Sequence, residues 1–163
     1  QIMQAMKEFI IKTTVKEMAL EELAEDKRKL VEAAQQATYR SYAPYSLFRV
    51  GAAIQLSDGN VVTGANQENA AYPSGTCAER SACYYAHAAY PEAKFVAIAI
   101  AARDTHGQFT DEPISPCGAC RQALLEYEKL AGASVQVLLA GVGRVFVVDS
   151  VRDLLPLAFV EFG

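Results

Sequence analysis

The spacing of apolar residues predicts a helix followed by a hairpin in the first half of the chain. Over residues 20–40, apolar positions recur every three to four residues between charged ones, which is typical of an amphipathic helix. Two further apolar runs, at residues 50–56 and 61–64, lie on either side of an Asp-Gly pair. A pair of this kind between two apolar runs predicts a β-hairpin.

The second half of the chain alternates between helix and strand patterns. We expect a turn around Pro44, helices that begin near Cys77 and Cys117, and a short terminal helix near residues 151–155. The remaining apolar runs predict strands at residues 95–102, 135–140 and 144–148. This alternation predicts an α/β fold, namely a three-layer α/β/α sandwich around a mixed sheet of five strands.

A weaker alternation at the start of the chain predicts one more element. Residues 8–16 alternate between apolar and polar side chains without a clear period. We therefore interpret residues 1–18 as an N-terminal arm or extra strand, and residues 19–163 as one domain. A chain of 163 residues is long enough to bury a core of its own.

Composition and charge narrow the classes of function. A hydrophobic content of 52% is typical of a globular protein and argues against disorder. The net charge of −4 comes with no basic run, so nucleic acid is not expected as a ligand. The longest apolar run has eight residues, too few to cross a bilayer, and no signal peptide is recognisable. We therefore expect a cytoplasmic protein with reduced cysteines.

Two short segments contain the residues best suited to metal chemistry. Cys77 lies in one, Cys117 and Cys120 lie in the other, and Glu79 follows the first cysteine by two positions. A structural zinc is closed by four protein ligands, whereas a hydrolytic zinc keeps three and leaves the fourth position to water. Three thiols and a nearby carboxylate favour a catalytic site.

Both segments also carry the pattern of a helix start. Thr76 is predicted to cap the first helix, and Ser115 followed by Pro116 is predicted to begin the second. The positive end of a helix favours thiolate over thiol, and thiolate is the form that binds metal.

Each segment taken alone has a simpler interpretation. Thr76 and Glu79 match a capping box, so Glu79 has a purely structural alternative. A Cys-x-x-Cys pair also occurs in redox motifs and zinc ribbons. Together, however, Cys-x-Glu at one helix start and Pro-Cys-x-x-Cys at another match the pattern of zinc-dependent deaminases.

With these segments the chain resembles cytidine deaminases of the short, three-cysteine type. The resemblance extends from about residue 39 to residue 159. Its other motifs are Tyr45-Ser46-x-Phe48-x-Val50-Gly51-Ala52-Ala53, Asn66-x-Glu68-Asn69-Ala70-x-Tyr72-Pro73 and Leu154-Leu155-Pro156. Cys83 departs from the family pattern, which has an aliphatic residue there, and we expect it to pack in the core.

The resemblance implies an enzyme and its reaction. Cytidine and 2′-deoxycytidine would be hydrolysed to uridine and 2′-deoxyuridine in pyrimidine salvage, with ammonia released. Zn²⁺, one per chain on Cys77, Cys117 and Cys120, would supply a bound hydroxide, and Glu79 would transfer the protons. The family is homotetrameric, with active sites shared between subunits.

The resemblance also assigns roles to the residues around the metal. Arg80 would hydrogen-bond the ligand sulfurs and withdraw charge from them. Apart from the resemblance, Arg121 is a second candidate for that role, with a surface salt bridge as the alternative. Asn66 and Glu68 would hold the 3′-hydroxyl of the ribose. The other implied substrate contacts are Phe48 on the face of the base, the backbone N–H of Ala78 on the base carbonyl, and Tyr72 and Phe159 reaching a neighbouring subunit's site.

Other functions remain open at this stage. One is a deaminase for a different aminopyrimidine nucleoside, such as a nucleoside antibiotic. A second is a non-catalytic module in which the three thiols only stabilise the fold, which would leave Glu79 without a role. A third is a thiol redox protein, which would leave Cys77 unexplained.

Overall fold

The computed structural model describes residues 3–162; residues 1, 2 and 163, which include the first two positions of the predicted arm, lie outside that range. Six strands and three α-helices are present in the described chain. The strands are β1 Lys16–Met18, β2 Arg49–Leu56, β3 Val61–Ala65, β4 Phe95–Arg103, β5 Gln136–Ala140 and β6 Val145–Val148. The helices are α1 Glu25–Ala37, α2 Ala78–Ala89 and α3 Gly118–Ala131.

The strands form one mixed sheet in the order β1-β6-β5-β4-β2-β3. Only β4 and β5 run parallel, and the predicted hairpin is the antiparallel pair of β2 and β3. The prediction of five strands is wrong by one. The sixth is β1, which pairs antiparallel with the edge strand β6 and places Lys16 opposite Val147.

The predicted three-layer arrangement is confirmed by the two faces of the sheet. Successive residues of a strand point to opposite faces. In β4, Ala97, Ala99 and Ala101 therefore pack toward α1, while Ile98 and Ile100 pack toward α2 and α3. A strand that is apolar on both sides is expected at the centre of a covered sheet.

Some predicted boundaries differ from the structure. Helix α1 is shorter than predicted, because a short 3-10 helix precedes it at Leu20–Glu22 and another follows it at Thr38–Arg40. The terminal helix is also a 3-10 turn, at Val151–Leu154. The amphipathic pattern marked the buried face correctly, but it does not distinguish an α-helix from the 3-10 turns at its ends.

Two glycines allow the helices to lie close to the sheet. A Cβ added at Gly51 would lie 2.1 Å from the carbonyl oxygen of Ala34 in α1. One added at Gly64 would lie 2.6 Å from the backbone nitrogen of Ala82 in α2. Any larger residue at position 64 would therefore push away the helix that begins beside Cys77. Within residues 3–162, no helix has the length and apolar character needed to span a bilayer.

Candidate active site

Three cysteines meet where α2 and α3 begin. Cys77 and Cys117 are the N-cap residues of the two helices, and Cys120 lies in the first turn of α3. The predictions that Thr76 and Ser115 are the caps are wrong, because both helices begin later than the capping patterns indicated. The helix starts still explain the site, since free backbone N–H groups and the helix dipole favour thiolates there.

The cluster fits one zinc ion. The Sγ atoms of Cys77, Cys117 and Cys120 all lie within 4.8 Å of one another, and those of Cys77 and Cys117 are 3.9 Å apart. Thiolates bound tetrahedrally to zinc lie about 3.8 Å apart, as follows from a Zn–S bond of about 2.3 Å. Three soft donors at this spacing suit Zn²⁺, and the set leaves one tetrahedral position without a protein ligand.

The thiols also influence each other's ionisation. The hydrogen bond from Cys120 and the nearby Arg80 lower the pKa of Cys77 to about 5, which favours its thiolate form. The same hydrogen bond, burial and the charge of Glu79 raise the pKa of Cys120. A divalent cation bound among the sulfurs would remove this difference, because every coordinating thiol is deprotonated.

Glu79 is buried beside the cluster. The residue is only 5% exposed, and it is the second residue of α2, one position before the place that a capping box starting at Cys77 requires. Its Oε2 atom accepts a hydrogen bond from Cys120 Sγ at 3.7 Å. Burial, the largest effect, raises the pKa of Glu79 above that of an exposed glutamate. A carboxyl group with a raised pKa next to a metal site is suited to accept and return protons.

The two candidate arginines have different contacts. Arg80 Nη2 donates to Cys77 Sγ at 3.7 Å, and its bonds to the thiols raise the pKa of the guanidinium. Arg121 donates instead to the carbonyl oxygens of Pro116 and Leu154, at 2.8 and 3.0 Å. Only Arg80 therefore contacts a sulfur, while Arg121 joins the start of α3 to the C-terminal segment.

A cavity of about 580 Å³ opens beside the cysteine cluster. Its wall includes Cys77 and Arg80 from the start of α2, together with Asn66, Glu68 and Tyr72 from the loop after β3. The structure thus brings the sugar-binding residues implied by the resemblance to the same cavity as a metal ligand. Phe48, Ala78, Glu79 and Phe159 do not line this cavity.

The two polar side chains of the loop are held in complementary ways. Glu68 accepts three hydrogen bonds, from the backbone N–H groups of Tyr45 and Ser46 and from the Ser46 hydroxyl. The bond from that hydroxyl lowers the pKa of Glu68 below its ordinary value, so the group is a carboxylate at neutral pH. Asn66 Oδ1 accepts from Ser41 and Val50.

Two aromatic residues assigned by the resemblance are exposed in the single chain. The side chain of Tyr72 is 79% exposed and that of Phe159 is 61% exposed. The backbone near Phe159 is nevertheless fixed, because Gln122 of α3 donates to its carbonyl oxygen at 3.1 Å. Large aromatic side chains on a fixed backbone are available for contact with another chain.

Sequence reasoning gave no role to Ser41 or Ser46. Each donates a hydroxyl hydrogen bond to a side chain of the cavity wall, Ser41 to Asn66 at 2.5 Å and Ser46 to Glu68 at 2.6 Å. Ser46 lies within a motif of the resemblance, which was the only signal in the sequence. Loop serines are common on protein surfaces, so residue type alone does not separate these two from the others.

Comparison with known proteins finds similarity to cytidine deaminases, in agreement with the motifs of the sequence. The family model for the cytidine and deoxycytidylate deaminase zinc-binding region matches residues 24–132. Cytidine deaminase of Halalkalibacterium halodurans is 42% identical over 136 residues, which cover 82% of this chain and 94% of that protein. Cytidine deaminase of Sporosarcina psychrophila is 40% identical over 82% of this chain and 91% of its own.

Solved structures resemble the fold as well. The crystal structure of cytidine deaminase from Burkholderia pseudomallei has a TM-score of 0.69 and 44% sequence identity, covering 80% of this chain and 97% of that chain. The structure of cytidine deaminase from Mycobacterium tuberculosis has a TM-score of 0.64 and 36% identity, covering 85% of this chain and all of that chain.

Proposed function

Because this chain belongs to the zinc-dependent cytidine deaminase family, we propose that it hydrolyses cytidine and 2′-deoxycytidine to uridine and 2′-deoxyuridine, releasing ammonia. The observation that carries the proposal is the meeting of three thiols within 4.8 Å, beside a buried glutamate and a cavity whose wall includes Asn66 and Glu68. A site that served only the fold would not need a buried acid next to an incomplete set of metal ligands. The reaction would serve pyrimidine salvage, because it converts cytidine nucleosides to uridine nucleosides.

Cys77, Cys117 and Cys120 would hold one zinc ion per chain. When bound, the ion lowers the pKa of a coordinated water so that it can act as a nucleophile near neutral pH. Three thiolates carry more negative charge than the ion carries positive charge, which weakens this effect. Arg80 offsets the excess because its guanidinium donates to Cys77 Sγ.

Glu79 would move the protons of the reaction. It would accept one proton from the attacking water and deliver it to N3 of the pyrimidine. It would then take the remaining proton from the hydroxyl added at C4 and pass it to the amino group, which leaves C4 as ammonia. Each cycle returns Glu79 to its starting form, so water and cytidine are converted to uridine and ammonia without another reactant. The raised pKa of Glu79 fits a group that must exist in both forms.

Ala78 would orient the base. It is the first residue of α2, so its backbone N–H has no acceptor within the helix. The carbonyl oxygen of a pyrimidine is a suitable acceptor, and the start of the helix adds a partial positive charge. Phe48 would cover a face of the base by stacking.

Asn66 and Glu68 would together hydrogen-bond one hydroxyl of the sugar. Oδ1 of Asn66 already accepts two hydrogen bonds, and Nδ2 donates one of its two hydrogens to Phe48 O at 2.9 Å. Asn66 therefore has only a donor left, while Glu68 is a carboxylate and can only accept. A hydroxyl both donates and accepts, so the pair suits the ribose 3′-hydroxyl and makes no demand on the 2′ position.

We also propose that the enzyme is a homotetramer whose sites are completed across subunits by Tyr72 and Phe159. The support is the exposure of both residues, together with the place of Tyr72 in the wall of the cavity, where a neighbouring subunit could approach. Sedimentation of the pure protein as an active monomer would refute this. A mixture of an inactive Glu79→Gln chain with an inactive Tyr72→Ala chain would regain activity if sites are shared.

The direct test of the function is a spectrophotometric assay. Pure protein is incubated with cytidine, the fall in ultraviolet absorbance is followed, and uridine and ammonia are measured as products in equal amounts. Activity that disappears with a zinc chelator and returns with added Zn²⁺ would support the proposal. No conversion of either nucleoside by zinc-loaded protein would exclude it.

A further inference from the structure

Ser46 makes hydrogen bonds to Glu68, which would bind the sugar of the nucleoside, and to Phe48, which would cover the base. Its hydroxyl donates to Oε2 of Glu68 at 2.6 Å and accepts from the backbone N–H of Phe48 at 3.0 Å. Its own backbone N–H donates to Oε1 of Glu68 at 3.1 Å, next to that of Tyr45 at 2.9 Å. A turn of two residues thus occupies both oxygens of the carboxylate.

These bonds determine which part of Glu68 is free to meet a ligand. A carboxylate has about four acceptor positions. The two backbone N–H groups fill those of Oε1, and the Ser46 hydroxyl fills one of those on Oε2. One position remains, on Oε2, next to the Ser46 hydroxyl. Without that hydroxyl, the carboxylate would present more than one free acceptor and would be held on one side only.

The same serine also fixes the backbone of Phe48. The N–H of Phe48 donates to Ser46, and its carbonyl oxygen accepts from Asn66 at 2.9 Å. Leu47, between Ser46 and Phe48, has a φ of 59°, in the left-handed region that leucine rarely adopts. Such a conformation persists only where surrounding bonds hold it, and the bond from Phe48 to Ser46 spans this residue.

We propose that Ser46 is a positioning residue that couples recognition of the sugar 3′-hydroxyl by Glu68 to the placement of Phe48 on the base. The inference rests on the proposed function, because it assigns substrate contacts to Glu68 and Phe48. Ser46 itself touches neither the reacting atoms nor the metal site. Ser46 lies in the cavity wall, but its one hydroxyl hydrogen is donated to Glu68. Its effect on turnover is therefore transmitted through Glu68 and Phe48, and the size of that effect depends on whether the substrate carries a 3′-hydroxyl.

The test compares cytidine with 3′-deoxycytidine in wild type and Ser46→Ala. Ser46→Ala removes an intramolecular hydrogen bond that holds the Glu68 carboxylate, so the substrate has to restore the position of that group when it binds, which lowers affinity by about 10-fold. We expect kcat/KM for cytidine to fall by about that factor, mainly through KM. For 3′-deoxycytidine we expect a smaller fall of about threefold, from Phe48 alone. The preference for cytidine would then shrink by roughly threefold or more, which a purely structural role would not produce.

Two further variants separate the hydroxyl from the size of the side chain. Ser46→Thr and Ser46→Val have nearly the same shape, but only threonine keeps the hydroxyl. Ser46 is exposed, so both should fold. We expect Ser46→Thr to keep the wild-type preference and Ser46→Val to lose it as Ser46→Ala does. Ser134→Ala, an exposed serine outside the cavity, is the matched control and should match wild type.

The link to Phe48 is tested by a double-mutant cycle on 3′-deoxycytidine. If Ser46 acts on this substrate only through Phe48, then Ser46→Ala has no further effect in a Phe48→Ala background. Additive losses would overturn the coupling. So would an unchanged preference for cytidine in a folded, zinc-containing Ser46→Ala protein. A wild-type enzyme without preference for cytidine over 3′-deoxycytidine would instead refute the proposed sugar site, and the inference would fall with it.

Discussion

Cys77, Cys117 and Cys120 lie at the starts of two helices, whereas Asn66 and Glu68 lie in a loop held by side-chain hydrogen bonds. On the metal side, Cys120 and Glu79 are buried, and the helices that carry them pack on the sheet. On the sugar side, which is the loop that contains Asn66 and Glu68, Glu68 is half-buried and its partners Tyr45 and Ser46 are exposed. The cavity joins these two regions, so one nucleoside would contact both.

The two regions differ in what holds their side chains in place. On the metal side, the packing of α2 and α3 on the sheet fixes the side chains, so no neighbouring residue can take over the role of one that is lost. On the sugar side, several hydrogen bonds share the task, and each exposed bond contributes modestly. We therefore expect single substitutions to have large effects on the metal side and graded effects on the sugar side.

Replacement of Cys117 by alanine should have the largest effect. Two thiols remain, which is fewer than zinc sites in proteins use, so the protein should lose its metal and fall to background activity. The measurement is zinc content per chain by elemental analysis, together with turnover of cytidine. A Cys117→Ala protein with a full complement of zinc would contradict the assignment of the ligands.

The matched control is Cys83→Ala. Burial raises the pKa of Cys83 to about 12, so this cysteine remains a neutral thiol in the core and is a poor metal ligand. The variant should keep its zinc and its activity, with a loss of unfolding free energy of about 1 kcal/mol from weaker packing. The two variants together separate loss of the metal from loss of any cysteine.

The Glu79→Gln substitution should have the second-largest effect on activity. Glutamine keeps the shape of the side chain but cannot accept a proton, so kcat should fall by about 10² to 10⁴-fold while zinc is retained. If Glu79 only supported the helix, the variant would instead lose about 1 kcal/mol of unfolding free energy and keep most of its turnover. Measuring kcat, zinc content and thermal unfolding of the same sample distinguishes the two outcomes.

The residues on the sugar side should determine which sugars and phosphates the enzyme accepts on its substrate. Deoxycytidine should be accepted about as well as cytidine, while cytidine monophosphate should have a kcat/KM lower by roughly two orders of magnitude. The physical reason is that the carboxylate of Glu68 repels a phosphate and the net charge of −4 adds to the repulsion. The assays should share one ionic strength, and monophosphate turnover within tenfold of cytidine would contradict the proposed sugar contacts.

The same contrast explains what the sequence could predict. The strand and helix order followed from apolar spacing, and the cysteine cluster followed from short motifs within single segments. The caps at Thr76 and Ser115 were wrong, since capping patterns do not specify at which of several neighbouring positions a helix begins. The roles of Ser41 and Ser46 depend on contacts with residues more than 20 positions away, which no local pattern records.

The smallest expected effect is that of Leu47→Gly in the turn of the sugar side. Leucine pays about 1 to 2 kcal/mol for its left-handed conformation, a cost that glycine avoids. Glycine loses about 0.4 to 1 kcal/mol through the greater freedom of the unfolded chain, and the leucine side chain, 45% exposed, gives up some buried area. These effects nearly cancel, so the unfolding free energy should change by less than about 1 kcal/mol.

The added freedom of the turn must still be lost when substrate binds, so KM for cytidine should rise by a few-fold at unchanged kcat. Denaturant unfolding and steady-state kinetics measure the two quantities separately. A fall in kcat comparable to that of Glu79→Gln would show that the turn acts on the chemical step, and the distinction between the two sides of the cavity would then be wrong.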